Sequence, residues 1–512
     1  MAIKNIQARP SLWMATLLLV FFVVGCGDSI PPAPLPTMAQ SSDIVESESQ
    51  QGVTPFIRFV TFKGTSLAQL RSVRFEISPK PGTASKPVDV LYTLEALSRR
   101  GYANPGSHEI TLPVFGLYAG YQNRLALALQ FSDESKQTLE ITITTPAYTD
   151  PNAIYDRPTI LKKRLAGQAL GFDFFALKTA YGTPVVIDSD GDIRWVGTGI
   201  GNSLSSTFLD NGFIVGTPGS TEFSRLEFDG TLQRKALAAS SYTNFHHNLD
   251  PGKYYLLGNM DGLSNGVANV ESIAIEFDSA GGILKEWDFA ALLGDYMRGQ
   301  GDDPSTFIRP GIDWFHMNSA TYDPRDDSLI VSSRENFVIK VDYSTRRIIW
   351  ILGDPAKYWY TFASLRAKAV RLPPGALYPI GQHATSITSD GLLMLFNNGA
   401  PSFNQPSGAP VGEGRNYSAV SAYDIDPVAL TAQEVWRFDY GQTVLSQVCS
   451  SVYEAGNQSL LVNYAYVSGG TLARLVGLDA KRQVIFDFSY PNTGCSTSWN
   501  ALQIPLGHMR FE

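Results

Sequence analysis

From about Asp150 onward one unit recurs along the sequence: an apolar strand runs into an Asp-containing turn, and the strand that follows usually carries a Trp or Phe. The copies are Val186-Ile187-Asp188 to Trp195, Leu226-Glu227-Phe228-Asp229-Gly230, and Ile275-Glu276-Phe277-Asp278 to Trp287. Then come Val338-Ile339-Lys340-Val341-Asp342 to Trp350, Tyr423-Asp424-Ile425-Asp426 to Trp436, and Leu475-Val476-Gly477-Leu478-Asp479 to Phe486. Short apolar runs joined by such turns read as hairpins. Most of the six are preceded by a second hairpin with its own turn: Asp210-Asn211-Gly212, Pro251-Gly252, Asp326-Asp327, Asp390-Gly391 and Ala455-Gly456. Two hairpins make a four-stranded sheet, and six such units in succession predict an all-β chain built as a six-bladed β-propeller over residues 150–512. Their spacing is irregular, so the blades carry insertions, the longest within 352–382 and 397–416.

Residues 53–148 read differently. Short alternating runs such as Val73-Arg74-Phe75-Glu76-Ile77 and Leu139-Glu140-Ile141-Thr142-Ile143 are separated by turn residues, the pattern of a small β-sandwich. Before it, residues 26–52 are rich in Pro, Ser, Gln and acidic residues without periodicity, which predicts a flexible tether. Residues 1–25 carry Lys4 and Arg9, an apolar stretch from Leu12 to Val24, and then Val23-Val24-Gly25-Cys26. This is the form of a secretory signal ending in a lipobox, with Cys26 lipidated. A plain signal peptide or a short anchor is the alternative, but the apolar stretch is short for a bilayer. Gly27 rather than Asp follows the cysteine, so retention at the inner membrane is not signalled. The expectation is an exported, periplasmic or outer-membrane lipoprotein that meets the membrane through its lipid anchor alone.

Three cysteines are too few for a disulfide scaffold or a zinc ribbon. With Cys26 spoken for, Cys449 and Cys495 remain in an oxidising compartment, where they can pair. A net charge of −8 with no basic run speaks against a nucleic-acid partner.

The chain has six histidines, and four fall at comparable places in the predicted propeller, His246, His247, His316 and His383, with His508 near the C-terminus. His247, His316 and His383 each stand just before the first strand of a leading hairpin, and innermost strands line the central channel of a propeller. Three imidazoles from successive blades would therefore face one funnel. Three unrelated core histidines and a three-histidine metal site are the competing readings. The metal site is weakened because no Asp or Glu follows at ligand spacing and Arg334 lies on the adjoining strand. The stretch Asp313-Trp314-Phe315-His316-Met317-Asn318-Ser319 leads to Ser332-Ser333-Arg334, so Arg334 would return to the end of the sheet where His316 stands. A guanidinium, an amide and imidazoles pointing inward suit a tetrahedral oxyanion.

The segment Asp313 to Arg334, Gln382-His383 with Asp390-Gly391 and Leu395-Phe396-Asn397-Asn398-Gly399, and Tyr423-Asp424-Ile425-Asp426-Pro427 with Val435-Trp436 resemble the bacterial arylsulfate sulfotransferases. The resemblance extends to Leu112-Pro113-Val114-Phe115-Gly116-Leu117-Tyr118 in the N-terminal part. It implies a six-bladed propeller with a small β-sandwich, an aryl sulfate donor, a phenolic acceptor, and no cofactor or nucleotide sulfate donor. By motif, His383 matches the family's histidine nucleophile. His316, Asn318 and Arg334 match its sulfate-binding and charge-stabilising set, and the other catalytic histidine falls in His246-His247, with His247 favoured. Thr497 is the candidate for a channel threonine. The chain departs from the family at Asn397-Asn398-Gly399, where Asp-Asn-Gly is usual, and at Trp499-Asn500, where Tyr-Arg is usual.

A neutral His383 would attack sulfur in line while the cations steady the spread charge, and His247 would manage the phenol's proton. Two half-reactions through one site imply ping-pong kinetics. The rival class is a non-catalytic propeller lipoprotein that binds a partner at its rim, and it has no need of in-register histidines around Arg334. A phosphatase or sulfatase would normally require a metal or a formylglycine-type nucleophile, which the sequence does not suggest. A homodimer is compatible with all of these readings.

Overall fold

A computed structural model describes residues 43–104, 106–239, 241–264 and 266–512. Cys26 and the lipobox lie outside them. The described chain is almost entirely β, and no described helix is long and apolar enough to cross a membrane.

Six antiparallel sheets follow one another along the sequence. The second, third, fourth and fifth are each four consecutive strands, beginning with Ser206–Leu209, Tyr242–Pro251, Met317–Asp323 and His383–Ile387. The other two exchange chain ends. Asn500–Ile504 completes the first sheet beside Phe174–Lys178, and Thr159–Lys162 joins the sixth beside Val484–Pro491. The innermost strands, Asn500–Ile504, Ser206–Leu209, Tyr242–Pro251, Met317–Asp323, His383–Ile387 and Ser451–Glu454, each abut the next and return to the first. Each repeated Asp-turn hairpin forms the third and fourth strands of its sheet counted from the innermost, and in the sixth Thr159–Lys162 lies outside it. Where it carries Trp195 or Trp287, that ring is completely buried. Trp195 Nε1 donates to the carbonyl of Phe228 on the neighbouring sheet at 2.9 Å, so the aromatic bulk fills the gap between sheets while its polar atom is satisfied.

Ahead of these lie two further sheets. One runs Val45–Gln51, Ile57–Lys63, Glu109–Phe115, Ala103–Asn104; the other runs Met509–Phe511, Val88–Thr93, Leu70–Ile77, Gln122–Phe131, Lys136–Thr144. Leu125, Leu127 and Leu129 point inward from Gln122–Phe131, with the exposed Ala126 and Ala128 between them, as period-two patterning requires. The core they share continues into the first two sheets of the series through Phe115, Phe174, Trp195 and Phe228.

Two predicted boundaries shift. Residues 45–51 were expected in the tether, yet they pair antiparallel with Ile57–Lys63. Every side chain of this strand is exposed, so it has no apolar alternation to announce it; backbone pairing and the Ser47 hydroxyl's bond to the Thr61 carbonyl at 3.2 Å hold it, and its glutamates suit a sheet edge. At the other end, residues 509–511 leave the propeller region. They pair parallel with Val88–Thr93, and Phe511 stacks on Tyr92 at 4.5 Å between ring centroids.

Candidate functional site

The third, fourth and fifth sheets each have an irregular first strand: the register slips between Phe245 and Leu249, between Met317 and Ser319, and between His383 and Ser386. At these bulges His247 and His316 both take φ of 52°, and Ala384 takes 51°. Left-handed backbone is costly for residues with a Cβ and is held only where surrounding structure dictates it, and bulges commonly re-aim side chains at sites. Here they bring three imidazoles together. Ring centroids lie 4.6 Å apart for His247 and His316, 6.4 Å for His247 and His383, and 6.5 Å for His316 and His383. Relative to the sequence expectation, His247 lies within its strand rather than before it, His316 directly precedes its strand, and His383 opens one.

The rings differ in charge because their neighbours differ. Two carboxylates face His316 Nδ1, Asp313 at 2.5 Å and Glu271 at 2.9 Å. Burial pulls this imidazole down, but the carboxylates outweigh it and raise it to about 10. His316 is therefore an imidazolium near neutrality, and its Nε2–H donates to His247 Nε2 at 3.1 Å. Burial, reinforced by the neighbouring imidazoles and Arg334, holds His247 well below the ordinary histidine value. Neutral His247 then keeps its proton on Nδ1, 2.9 Å from His246 Nδ1. His246 thus stands behind His247, and its buried Nε2 finds no hydrogen-bond partner, the nearest carboxylate oxygen of Asp261 being 3.9 Å away. His383 is driven to about 3 by burial, then by Arg334 and His316, against the pull of its hydrogen bonds to Asn398 and Gly381. At neutral pH it is uncharged.

Arg334 follows the strand Ser328–Ser333, and its backbone N–H donates to the His316 carbonyl at 3.0 Å, so it does return to that end. Nη1 is held by Glu335 at 2.7 Å, while the buried Nε and Nη2 have no partner. Phe403, from the 397–416 insertion, lies over the guanidinium at 3.6 Å. Orphaned buried donors are costly, and these two present N–H groups suited to an oxyanion. Glu335 is itself fastened by the backbone N–H groups of Phe403 and Asn404.

Asn318 is in the cluster but spends an amide N–H on the carbonyl of Gln382 at 2.8 Å, so it braces the segment bearing His383. Thr497 spends its hydroxyl on the backbone. Its hydroxyl donates to the Pro491 carbonyl at 2.8 Å, and Trp499, two residues on, stands over His247 at 5.0 Å. Cys449 and Cys495 are joined as a disulfide with Cα atoms 6.5 Å apart. Of the departures from the family pattern, Asn397 ties loops through Ile380 and Arg415 and does not touch His383, whereas Asn398 does.

Sequence reading missed Glu271, Glu335 and Phe403. Glu271 lies within Val267–Phe277, a strand whose pattern resembles any other, and Glu335 and Phe403 reach Arg334 from an adjoining residue and a distant loop. The absence of nearby acids, used above against a metal site, is also corrected: Glu271 and Asp313 converge on His316 from separate segments. Ligand-capable atoms of His247, His316 and His383 lie within 4.8 Å of one another, as do those of His246, His247 and Glu271 and those of Glu271, Asp313 and His316. A cation among the first three would meet a His316 already protonated toward two carboxylates, and Arg334 beside it.

Among solved structures, similarity is found to the Myceliophteria_thermophila Cps50 (Swd1) β-propeller domain, with 10% identity, a TM-score of 0.34, and coverage of 66% of this chain and all of that one. BamB from Moraxella catarrhalis gives 12%, 0.27, and 63% and 82%. Likeness at this level identifies nothing further. The arylsulfate sulfotransferases AssT of Escherichia coli O6:H1 and of Lelliottia amnigena are each 24% identical, over 270 and 272 residues. Those matches span 43% of this chain and 44% of either relative, less than half their length. A broader match runs over residues 154–495, a stretch that contains His246, His247, His316, His383, Arg334 and both disulfide cysteines, and it is to the arylsulfotransferase (ASST) family that the chain therefore belongs.

Proposed function

We propose that this protein transfers a sulfuryl group from an aryl sulfate to a phenol, through a covalent intermediate on His383 and without a nucleotide donor. The observation that carries the reading is the contrast within one cluster. A buried, uncharged imidazole at His383 adjoins an imidazolium at His316 and a guanidinium at Arg334 with two unpartnered donors. Sulfuryl transfer resembles phosphoryl transfer in spreading charge over peripheral oxygens, so catalysis needs a neutral nucleophile in line and fixed donors around those oxygens.

His383 Nε2 attacks sulfur as the bond from sulfur to the aryl oxygen breaks. Arg334 Nε and Nη2 take the sulfuryl oxygens. The departing phenoxide is protonated from His316, whose value of about 10 matches a phenol of similar acidity, the condition under which proton transfer is efficient. Because His247 is neutral at rest, its role narrows from the acid expected above to a partner that shares the His316 proton. In the second half-reaction the pair recovers that proton from the acceptor phenol, which attacks the sulfuryl group and frees His383. The same proposal takes the six sheets as propeller blades, the two N-terminal sheets as a sandwich, and Cys26 as a lipid anchor in the cell envelope.

Mixing enzyme with an aryl sulfate and no acceptor tests it. About one equivalent of phenol should appear in a burst, with the sulfuryl group recovered on the peptide containing Gln382-His383, and His383→Ala should abolish both. A normal burst from His383→Ala, or label on His247 or His316, would refute the assignment. Exhaustive chelation should leave the burst intact; loss restored by a divalent metal would favour the metal site.

A further inference from the structure

Among the described residues Asn398 is the one side chain that bonds His383, and its own bonds decide which way its amide points. Nδ2 donates to the carbonyls of Ser446 at 2.6 Å and Cys449 at 3.0 Å, and a flipped amide would set its oxygen against both. Oδ1 must therefore face His383 Nδ1, 2.9 Å away. A second acceptor, the Gly381 carbonyl, lies 3.1 Å from the same nitrogen. Two acceptors at Nδ1 leave that nitrogen no choice but to carry the proton, and a neutral ring has only one.

The turn that makes this possible needs Gly399. It takes φ of +82°, and a Cβ there would fall 2.5 Å from the carbonyl oxygen of Tyr417. Asn398 is thus delivered by a backbone bend and clamped by a loop whose end is tied through the Cys449–Cys495 disulfide. The charged and titratable groups that act on His383 are Arg334 and His316, with His247 the third imidazole of the cluster. None of them competes for Nδ1.

We propose that Asn398 is a positioning residue that holds His383 as the Nδ1–H tautomer, keeping the Nε2 lone pair free for attack and stabilising the ring once it is sulfated. The inference rests on His383 as nucleophile. When Nε2 forms its bond to sulfur, the electron pair of the broken bond leaves with the aryl oxygen, which takes a proton from His316. The ring keeps its Nδ1 proton and becomes cationic, so the hydrogen bond to Asn398 strengthens as charge develops. This is the kind of interaction that accelerates a step rather than merely binding substrate.

Solid-state NMR of protein labelled with ¹⁵N-histidine, with His383→Gln assigning the signal, should show His383 protonated on Nδ1 and bare on Nε2. Asn398→Leu leaves only the Gly381 carbonyl at Nδ1, so it should raise the share of the opposite tautomer and slow the burst by about 10- to 100-fold, the range for losing a hydrogen bond to a group that becomes charged, at unchanged donor affinity. Asn398→Asp keeps an acceptor toward Nδ1, and with its second oxygen protonated it still donates toward the Ser446 carbonyl, so it should recover much of the burst at neutral pH. A merely structural role predicts equal losses in both variants with the tautomer ratio unmoved. An Nε2–H tautomer in the unmodified protein, or a full burst from Asn398→Leu, overturns the proposal. The tautomer measurement needs no variant at Asn398, so it decides even if that variant fails to fold. A burst surviving in His383→Ala would instead remove the nucleophile assignment while leaving the hydrogen bond to be judged by NMR.

Discussion

Replacing Glu271 by Gln keeps the shape of the side chain and removes one charge, 2.9 Å from His316 Nδ1 and 3.6 Å from His247 Nδ1. In the native site, burial works against the imidazolium, and Glu271 is the foremost of the groups that overcome it to give about 10. The rise from the ordinary value of 6.5 is worth about 5 kcal/mol in favour of the charged ring, at about 1.36 kcal/mol per pH unit. An opposite charge in contact typically accounts for about 1–3 units, so Glu271→Gln should lower His316 by about 2 units, to near 8. The sign follows directly: a raised imidazole is charged below its own value and loses its proton above it. At pH 9 the protonated fraction should fall from about 90% to about 10%, a roughly ninefold loss of the proton donor. The assay is stopped-flow release of phenol across pH 6–11, with two donors. For phenyl sulfate, whose leaving group needs a proton, the alkaline limb should move down by about 2 pH units. For a nitro-substituted aryl sulfate, whose phenoxide leaves readily, it should move little. An unmoved limb with phenyl sulfate, or the same shift with both donors, would refute His316 as the source of the proton.

Arg334→Ala should slow the burst by a few kcal/mol, on the order of 10²–10³-fold, because donors aimed at developing charge are lost; the single-turnover rate measures it, and a change of less than threefold would remove Arg334 from the oxyanion site. Cys495→Ser opens a disulfide spanning a sequence separation of 46 residues, and loop entropy gives a loss of about 4 kcal/mol in unfolding free energy; denaturant titration against the oxidised parent should show it, and an unchanged midpoint would mean that the loop contributes no restraint. Cys26→Ser should release the protein from membranes without loss of activity, and retention after carbonate washing would contradict a lipid anchor.

Much of this molecule is written locally. The alternation of apolar residues and the Asp turns mark the strands of every repeated hairpin, because burial of one sheet face imposes a period of two on neighbouring residues. Histidine is scarce enough in the repeats that its matching positions are visible, and the apolar stretch before Cys26 needs no fold to be read. Residues 45–51 and 509–511 show the other side. The first strand has no apolar face, and the last is too short to show a period, so their sheets became evident only from their partners. The chemistry of the site was less legible still. Nothing near His316 or His383 in the sequence says that one is an imidazolium and the other neutral. That difference arises because Glu271 and Asp313 converge on one ring while burial, Arg334 and the His316 charge act on the other. Residue types and spacing thus determined which groups could react, but charge state and tautomer were decided by the tertiary structure. Coulomb interactions and hydrogen bonds act through distance in space, and the bulged strands bring together groups that lie far apart along the chain.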